Sequence, residues 1–321
     1  SANKQTAMLS LHILIQYFGS DYPKAFDKAV LSIVSIVMQT GVTIPAMQAL
    51  KGSAYIALSV CCSQLGIHML PYLPRFLPSL LTELDAAGVK CVSLQEEITA
   101  LGEKGDSHEL EERQAQLDEV QVLVQSLIAT LNSVVTYQGS LLSTYLNQIL
   151  QLVIRPVFIA SDKQVVRGAV AVLLDLLSEK IEARLLLPAV YNSFKKISSG
   201  AACSYSGLFS VVESLFNRME ENQVGKFYER TWSFCVSGME LRATWKDGDE
   251  VDEVEQAVVK ALIAITLKLN ENQMNPLFVK TVNWMQEKSL VQSETSGEDS
   301  LPSPARAIPF FSLVIELSNT L

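Results

Sequence analysis

The stretch Leu70-Pro71-Tyr72-Leu73-Pro74-Arg75-Phe76-Leu77-Pro78-Ser79-Leu80-Leu81 decides the fold. Its apolar side chains recur at spacings of three and four, the period of a helix with one buried face. Pro71 and Pro74 fit an opening turn, where a missing N–H costs no hydrogen bond. Pro78 falls deeper, removes one backbone bond and is expected to tilt the helical turns beyond it. Such a helix suits one member of a helical hairpin stacked on others of its kind, an α-solenoid, whose work is to hold partners rather than to turn over a substrate.

The same periodicity runs outward in both directions, and strand signals are nearly absent, so the chain reads as all-α. Toward the N-terminus, Leu9, His12, Ile13 and Tyr17 fit a helix ending near Gly19. Pro23 opens a second helix to about Gln39, and Pro45 a third to Gly66. Toward the C-terminus a polar, acidic stretch at 93–116, broken by Gly102-Glu103-Lys104-Gly105-Asp106-Ser107, reads as an insertion protruding from the stack. A long helix is expected from Leu110 to Thr136, then one over Leu141–Phe158, and one capped by Ser161-Asp162 that runs to Lys180. Further helices are expected at 183–198, 203–220, 224–242, 251–270 with Asp249 as cap, and 274–288. The organisation is therefore hairpins over 1–92, the insertion at 93–116, regular hairpins over 117–288, a loop at 289–305 and a last helix over 306–321. Setting the insertion aside leaves hairpins of about forty residues, the period of HEAT-like repeats.

Composition agrees with a stack. Of 321 residues, 49% are hydrophobic and only 18% charged, because each hairpin buries one face on the neighbour before it and another on the neighbour after it. The chain begins at Ser1 without an initiator Met and ends at Leu321 inside an apolar run, which reads as a segment of a longer protein. No signal peptide opens it, and the most apolar run, Ala29–Met38, is too short for a bilayer, so no membrane association is expected. Five cysteines without C-x-x-C spacing read as buried, reduced thiols. The net charge of −9 is localised: residues 96–119 carry −7 and residues 289–304 carry −3, leaving a nearly neutral body that can meet a ribonucleoprotein.

Catalytic chemistry finds little support. The three histidines, His12, His68 and His108, lie in no metal-ligand spacing, and there is no phosphate-binding glycine loop. The Asp247–Glu253 cluster lacks the ligand spacing of a calcium loop, and Ser204, Ser206 and Ser210 lack a nucleophile context. No cofactor, metal or small-molecule substrate is expected. Phe227, Tyr228, Trp232 and Phe234 read as packing between repeats. The candidate contacts for nucleic acid or a partner are basic: Arg155, Lys163, Arg167, Lys195 and Lys196, with Lys180 and Arg184 between them, recurring over two hairpins.

Three stretches carry a family resemblance. Gly52–Ile67 leading into Met69–Pro74 resembles the C-terminal repeats of the large HEAT-repeat subunit associated with the U3 small nucleolar RNA. Ala183-Arg184-Leu185-Leu186-Leu187-Pro188-Ala189-Val190-Tyr191 is similar to that family's C-terminal domain. Lys268-Leu269-Asn270, followed by Pro276-Leu277-Phe278 and Trp284, resembles its most distinctive signature. The resemblance implies a non-catalytic scaffold of the nucleolar small-subunit processome, acting in pre-ribosomal RNA processing and ribosomal RNA transcription. Its partners would be processome proteins and pre-ribosomal or small nucleolar RNA. The competing reading is a solenoid transport receptor or cytosolic adaptor whose acidic insertion engages basic cargo.

Overall fold

Gly66 makes the corner that the Leu-Pro stretch needs. Its φ of +53° lies in the left-handed region that L side chains avoid, and it ends one helix so that the next can begin. The computed structural model describes residues 2–39, 45–104, 107–197, 201–245, 248–287 and 304–320. Among these every regular element is a helix, and the chain divides into two units, Ser1–Ile181 and Glu182–Leu321.

The first unit contains α1 (Ala2–Phe18), α2 (Asp27–Val37), α3 (Pro45–Leu65), α4 (Leu73–Lys104), α5 (Ser107–Gln138), α6 (Leu146–Val153), α7 (Pro156–Ile159) and α8 (Gln164–Lys180). One layer is α1, α3, α5 and α8, each packed on the next; α2, α4, α6 and α7 form the other. Neighbours within the first layer run parallel. Ser59 Oγ meets Ser133 Oγ at 2.8 Å, Thr130 Oγ1 donates to the Tyr55 carbonyl at 2.8 Å, and Gln138 Nε2 donates to the Gly66 carbonyl at 3.2 Å. Both members of each pair advance together along α3 and α5. Across to α8, Lys163 reaches Asp118 at 3.0 Å and Asn132 Nδ2 donates to the Ala169 carbonyl at 3.2 Å. Apolar side chains fill the space between: Leu58, Leu77, Leu80, Leu127, Leu131 and Leu173 are fully enclosed.

One buried charge pair ties the layers together. Lys51 on α3 is 5% exposed, and its ammonium lies 3.0 and 2.9 Å from the two carboxylate oxygens of Glu83 on α4, which also accepts from the Tyr55 hydroxyl at 3.2 Å. Burial, with Glu83 beside it, pushes the Tyr55 phenol far above its ordinary range, so it stays a donor.

The second unit contains α9 (Ala183–Phe194), α10 (Ala202–Arg218), α11 (Glu221–Val224), α12 (Tyr228–Met239), α13 (Leu241–Thr244), α14 (Gly248–Thr266), α15 (Glu271–Gln286) and α16 (Pro304–Thr320). Helix α12 bridges α9 and α15. Thr231 meets the Tyr191 hydroxyl at 2.8 Å, and Trp232 Nε1 donates to Thr281 Oγ1 at 2.9 Å. On the other side α10, α14 and α16 pack in sequence.

Several elements differ from the sequence reading. The described part of residues 93–116 is helical rather than a loop: it continues α4 and begins α5, with Leu94 and Leu117 buried between the helices and Arg113 pairing with Glu97 across them at 3.1 Å. Helical periodicity survives beneath the acidic composition, so the polarity marks an exposed pair of helix ends. The helix expected over Leu141–Phe158 is split, because Pro156 forces Arg155 into extended backbone at φ −60° and ψ 141°. Ser161 and Asp162 do not cap α8; it starts at Gln164, and the Ser161 carbonyl instead accepts from Arg167. The helix expected from 274 starts three residues earlier, because the Asn270 and Gln273 side chains form a reciprocal capping box. The side chain of Asp249, Asp247, the Gly105-Asp106 part of the loop, residue 288 and residues 289–303 of the expected 289–305 loop lie outside the described residues. Helix α5 belongs to a segment, His108–Leu141, that is long and apolar enough to cross a membrane by length and composition; here it packs against α3, α4 and α8.

Urea denaturation reads the consequences of this packing. A Cβ on Gly238 would meet Val258 Cγ2 at 2.8 Å and Phe209 Cε2 at 2.9 Å, so Gly238→Ala is expected to cost about 1–3 kcal/mol. Nothing lies within 4 Å of the same atom on Gly168, and Gly168→Ala in mid-helix should stabilise by about 0.5–1 kcal/mol. Glu83→Ala strands the buried Lys51 ammonium and should cost about 3–5 kcal/mol, with the Lys51→Met/Glu83→Leu pair recovering most of that loss. A single-variant loss below about 1 kcal/mol would contradict the role assigned to the pair.

Candidate partner-binding interface

The five basic residues singled out in the sequence divide between the two units, three in the first and two in the second. Arg155 sits at the α7 N-cap, where Pro156 fixes the backbone, and its guanidinium is bonded to the Asp85 carboxylate on α4. Lys163 is the N-cap residue of α8 and pairs with Asp118. Arg167, one turn on, donates Nη1–H to the Ser161 carbonyl at 3.0 Å. These three cations lie in the first unit and are each engaged inside the fold. Exposed pairs such as Lys163–Asp118 contribute little to stability, so a phosphate could exchange with the carboxylate at small cost.

Lys195 and Lys196 lie in the second unit. They follow the last turn of α9, Lys195 as its C-cap residue, and both side chains are exposed. A cation there also complements the negative end of the helix dipole. Lys180 and Arg184 are paired with Glu179 and Glu182, their near neighbours in sequence. Of the aromatic group around α12, Trp232 and Phe234 are packed inside the unit, whereas the Tyr228 hydroxyl donates to Glu229 at the surface. Phe234 lies 4.9 Å from the Tyr191 ring and 5.1 Å from both Phe194 and Phe209, and Trp232 is 2% exposed.

Among the described residues the buried thiols are not activated nucleophiles. Burial pushes the Cys61 thiol up to about 12 and Cys91 to about 11, and carries Cys62 and Cys235 higher still, so all four are protonated at neutral pH. Among the described residues no group of three His, Cys, Asp or Glu side chains could hold a metal ion.

Two arginine clusters escaped the sequence reading. Arg242 on α13 grips Glu255 through both carboxylate oxygens, with Nη2 at 2.7 Å from Oε2, and also contacts Asp252. Those bonds raise its pKa further above an already high value. Arg306 on α16 donates Nη1–H to the Trp284 carbonyl at 2.8 Å and the Glu287 carbonyl at 3.1 Å. Its Nη2 lies 2.7 Å from Glu240, and the guanidinium stands 5.4 Å from the Trp284 ring centre. A guanidinium thus closes the free carbonyl end of α15. The only sequence signal was Trp284 itself, since Arg306 reaches it across residues with no regular spacing.

Comparison with known proteins supplies what geometry does not. Residues 223–321 match the BP28CT (NUC211) domain family. The chain is 26% identical over 287 residues to a HEAT repeat-containing protein 1 homolog of Dictyostelium discoideum, covering 88% of this chain and 12% of that protein. It is 25% identical over 290 residues to HEAT repeat-containing protein 1 of Homo sapiens, again covering 88% and 12%. To the U3 small nucleolar RNA-associated protein 10 of Candida glabrata it is 23% identical over 312 residues, covering 96% and 15%. The chain therefore spans about an eighth of the length of the relatives it matches. With its stacked helical hairpins the chain is a HEAT-like α-solenoid segment, similar over most of its length to HEAT repeat-containing protein 1 and U3 small nucleolar RNA-associated protein 10 and matching the BP28CT domain family over its C-terminal third.

Proposed function

We propose that this chain is a non-catalytic scaffold segment of the nucleolar small-subunit processome, serving pre-ribosomal RNA processing and ribosomal RNA transcription. The observation that carries this reading is the match of nearly the whole chain to relatives named for HEAT repeats and for U3 small nucleolar RNA. The physical chemistry is compatible with it. Four of the five thiols are buried and protonated at neutral pH, the longest helices spend their faces on one another, and ion pairs such as Lys51–Glu83 and Arg306–Glu240 join separate helical segments. What such an object offers to a partner is shape and surface.

Among the basic residues, Lys195 and Lys196 carry the proposed phosphate contact, because both are exposed at a helix C-terminus. Arg155, Lys163 and Arg167 serve the fold first and reach a phosphate only by exchanging partners.

Two measurements test the proposal. When the full-length protein is replaced in cells by a form lacking this region, processome proteins should no longer co-purify and unprocessed pre-ribosomal RNA should accumulate; normal association and processing would overturn the scaffold reading. In vitro, each phosphate contact to single-stranded RNA contributes about −0.7 to the slope of log K against log salt, so Lys195→Ala/Lys196→Ala should flatten it by about 1.4. An unchanged slope removes these lysines from the interface.

A further inference from the structure

Helices α14 and α16 leave an open groove of about 550 Å³ between them in the second unit. The two helices run parallel: Glu240 holds Arg306 at the start of α16, and Arg242, two residues on, holds Asp252 and Glu255 at the start of α14. Along α14 the groove extends from Asp252 to Ile263, about 16 Å at 1.5 Å per residue, or three helical turns. Its apolar lining is Val259 and Ile263 from one side and Ile308 and Ile315 from the other. Ile308 and Ile315 line it from α16 at positions i and i+7, and are 46% and 57% exposed. That spacing is the seam a second helix packs against.

The charges around the groove say which kind of helix. At the Asp252 end, two carboxylates share the single Arg242 guanidinium, leaving one negative charge uncompensated; Arg242 is largely enclosed, while the Asp252 side chain is 57% exposed. At the other end Glu316 faces solvent beside Lys260. Carboxylates therefore outnumber cations, which disfavours a phosphate backbone and favours a cationic flank. The Arg306 contacts to Glu240, Trp284 and Glu287 fix α16 in place, so the groove exists before anything enters it.

We propose that the α14/α16 groove is a docking site for an amphipathic helix of a protein partner, with apolar side chains at i, i+3 or i+4, and i+7 against Ile308 and Ile315 of α16 and Val259 and Ile263 of α14, and a Lys or Arg directed at Asp252. The proposal stands on this groove alone and does not depend on the nucleolar reading.

The test is selection of a displayed library of helix-forming peptides on the full 321-residue chain, with counter-selection on Ile315→Glu. Selected peptides should carry the apolar spacing and at least one basic flank. Their affinity should fall at least tenfold on Ile315→Glu and on Ile308→Ser, and at least threefold when the peptide's basic residues become Glu. Both substituted side chains are solvent-facing, and an unchanged thermal melt confirms that each variant is folded. Failure to select any peptide that distinguishes the wild-type chain from Ile315→Glu would overturn the proposal, as would enrichment of acidic flanks. Displacement of the peptides by a single-stranded RNA oligonucleotide would assign the groove to nucleic acid instead. Concentration-dependent dimerisation abolished by Ile315→Glu would assign it to a second copy; either result overturns the proposal.

Discussion

A helix that is packed on both flanks leaves little water to satisfy the polar groups on those flanks, and this constraint organises the first unit. Helix α5 lies between α3 and α8, yet carries Ser126, Thr130, Asn132, Ser133 and Gln138 on its covered sides. Each makes at least one bond to a carbonyl or hydroxyl, several on a neighbouring helix, as Thr130 does at the Tyr55 carbonyl and Asn132 at the Ala169 carbonyl, although the buried Oδ1 of Asn132 and Oε1 of Gln121 and Gln138 have no protein partner among the described residues. An unmade bond at such a place costs about 1–3 kcal/mol, so a slip of one turn along the stack would forfeit several at once. Apolar burial drives the helices together, and these polar pairs choose the register in which they settle. Lys51 and Glu83 apply the same logic between the layers, where an unpaired charge would be costlier still.

The second unit solves a different problem with the same means. Its last hairpin must be fixed although α15 and α16 are joined through residues with no helical signal. Arg306 does so by closing the carbonyl end of α15, pairing with Glu240 and covering the Trp284 ring. Arg242 fixes the start of α14 beside it. Two guanidiniums, each with more acceptors than a lysine could serve, thus set the spacing of α14 and α16. The groove between those helices is a consequence of that spacing.

Much of the fold was legible because the helical period is local information. Leu70–Leu81, Pro45, Gly66 and Lys180 all mark boundaries that the structure keeps to within a few residues. Errors arise where a short-range signal is read by composition: the acidic residues at 93–116 hide Leu94 and Leu117, which keep α4 and α5 paired, and Asn270 with Gln273 forms a cap that an apolar count ignores. The interface was far less legible. Arg155, Lys163 and Arg167 look available in sequence because Asp85, Asp118 and the Ser161 carbonyl reach them only once the chain is folded. Which cations are spent inside the fold is a tertiary fact, and so is the placement of Ile308 and Ile315 on an open face.

The register of α3 on α5 is the claim on which the stack stands, and a cross-link reads it directly. Ser59 and Ser133 bring their side-chain oxygens to 2.8 Å and are only half-buried, so oxidant can reach them. Oxidation of the Ser59→Cys/Ser133→Cys variant, followed by mass spectrometry of its peptides, should show a disulfide between positions 59 and 133 in nearly every molecule. The Ser59→Cys/Thr136→Cys variant, displaced by about one turn, should show almost none. Equal yields from the two variants, or a preference for the displaced pair, would contradict the parallel register described for α3 and α5.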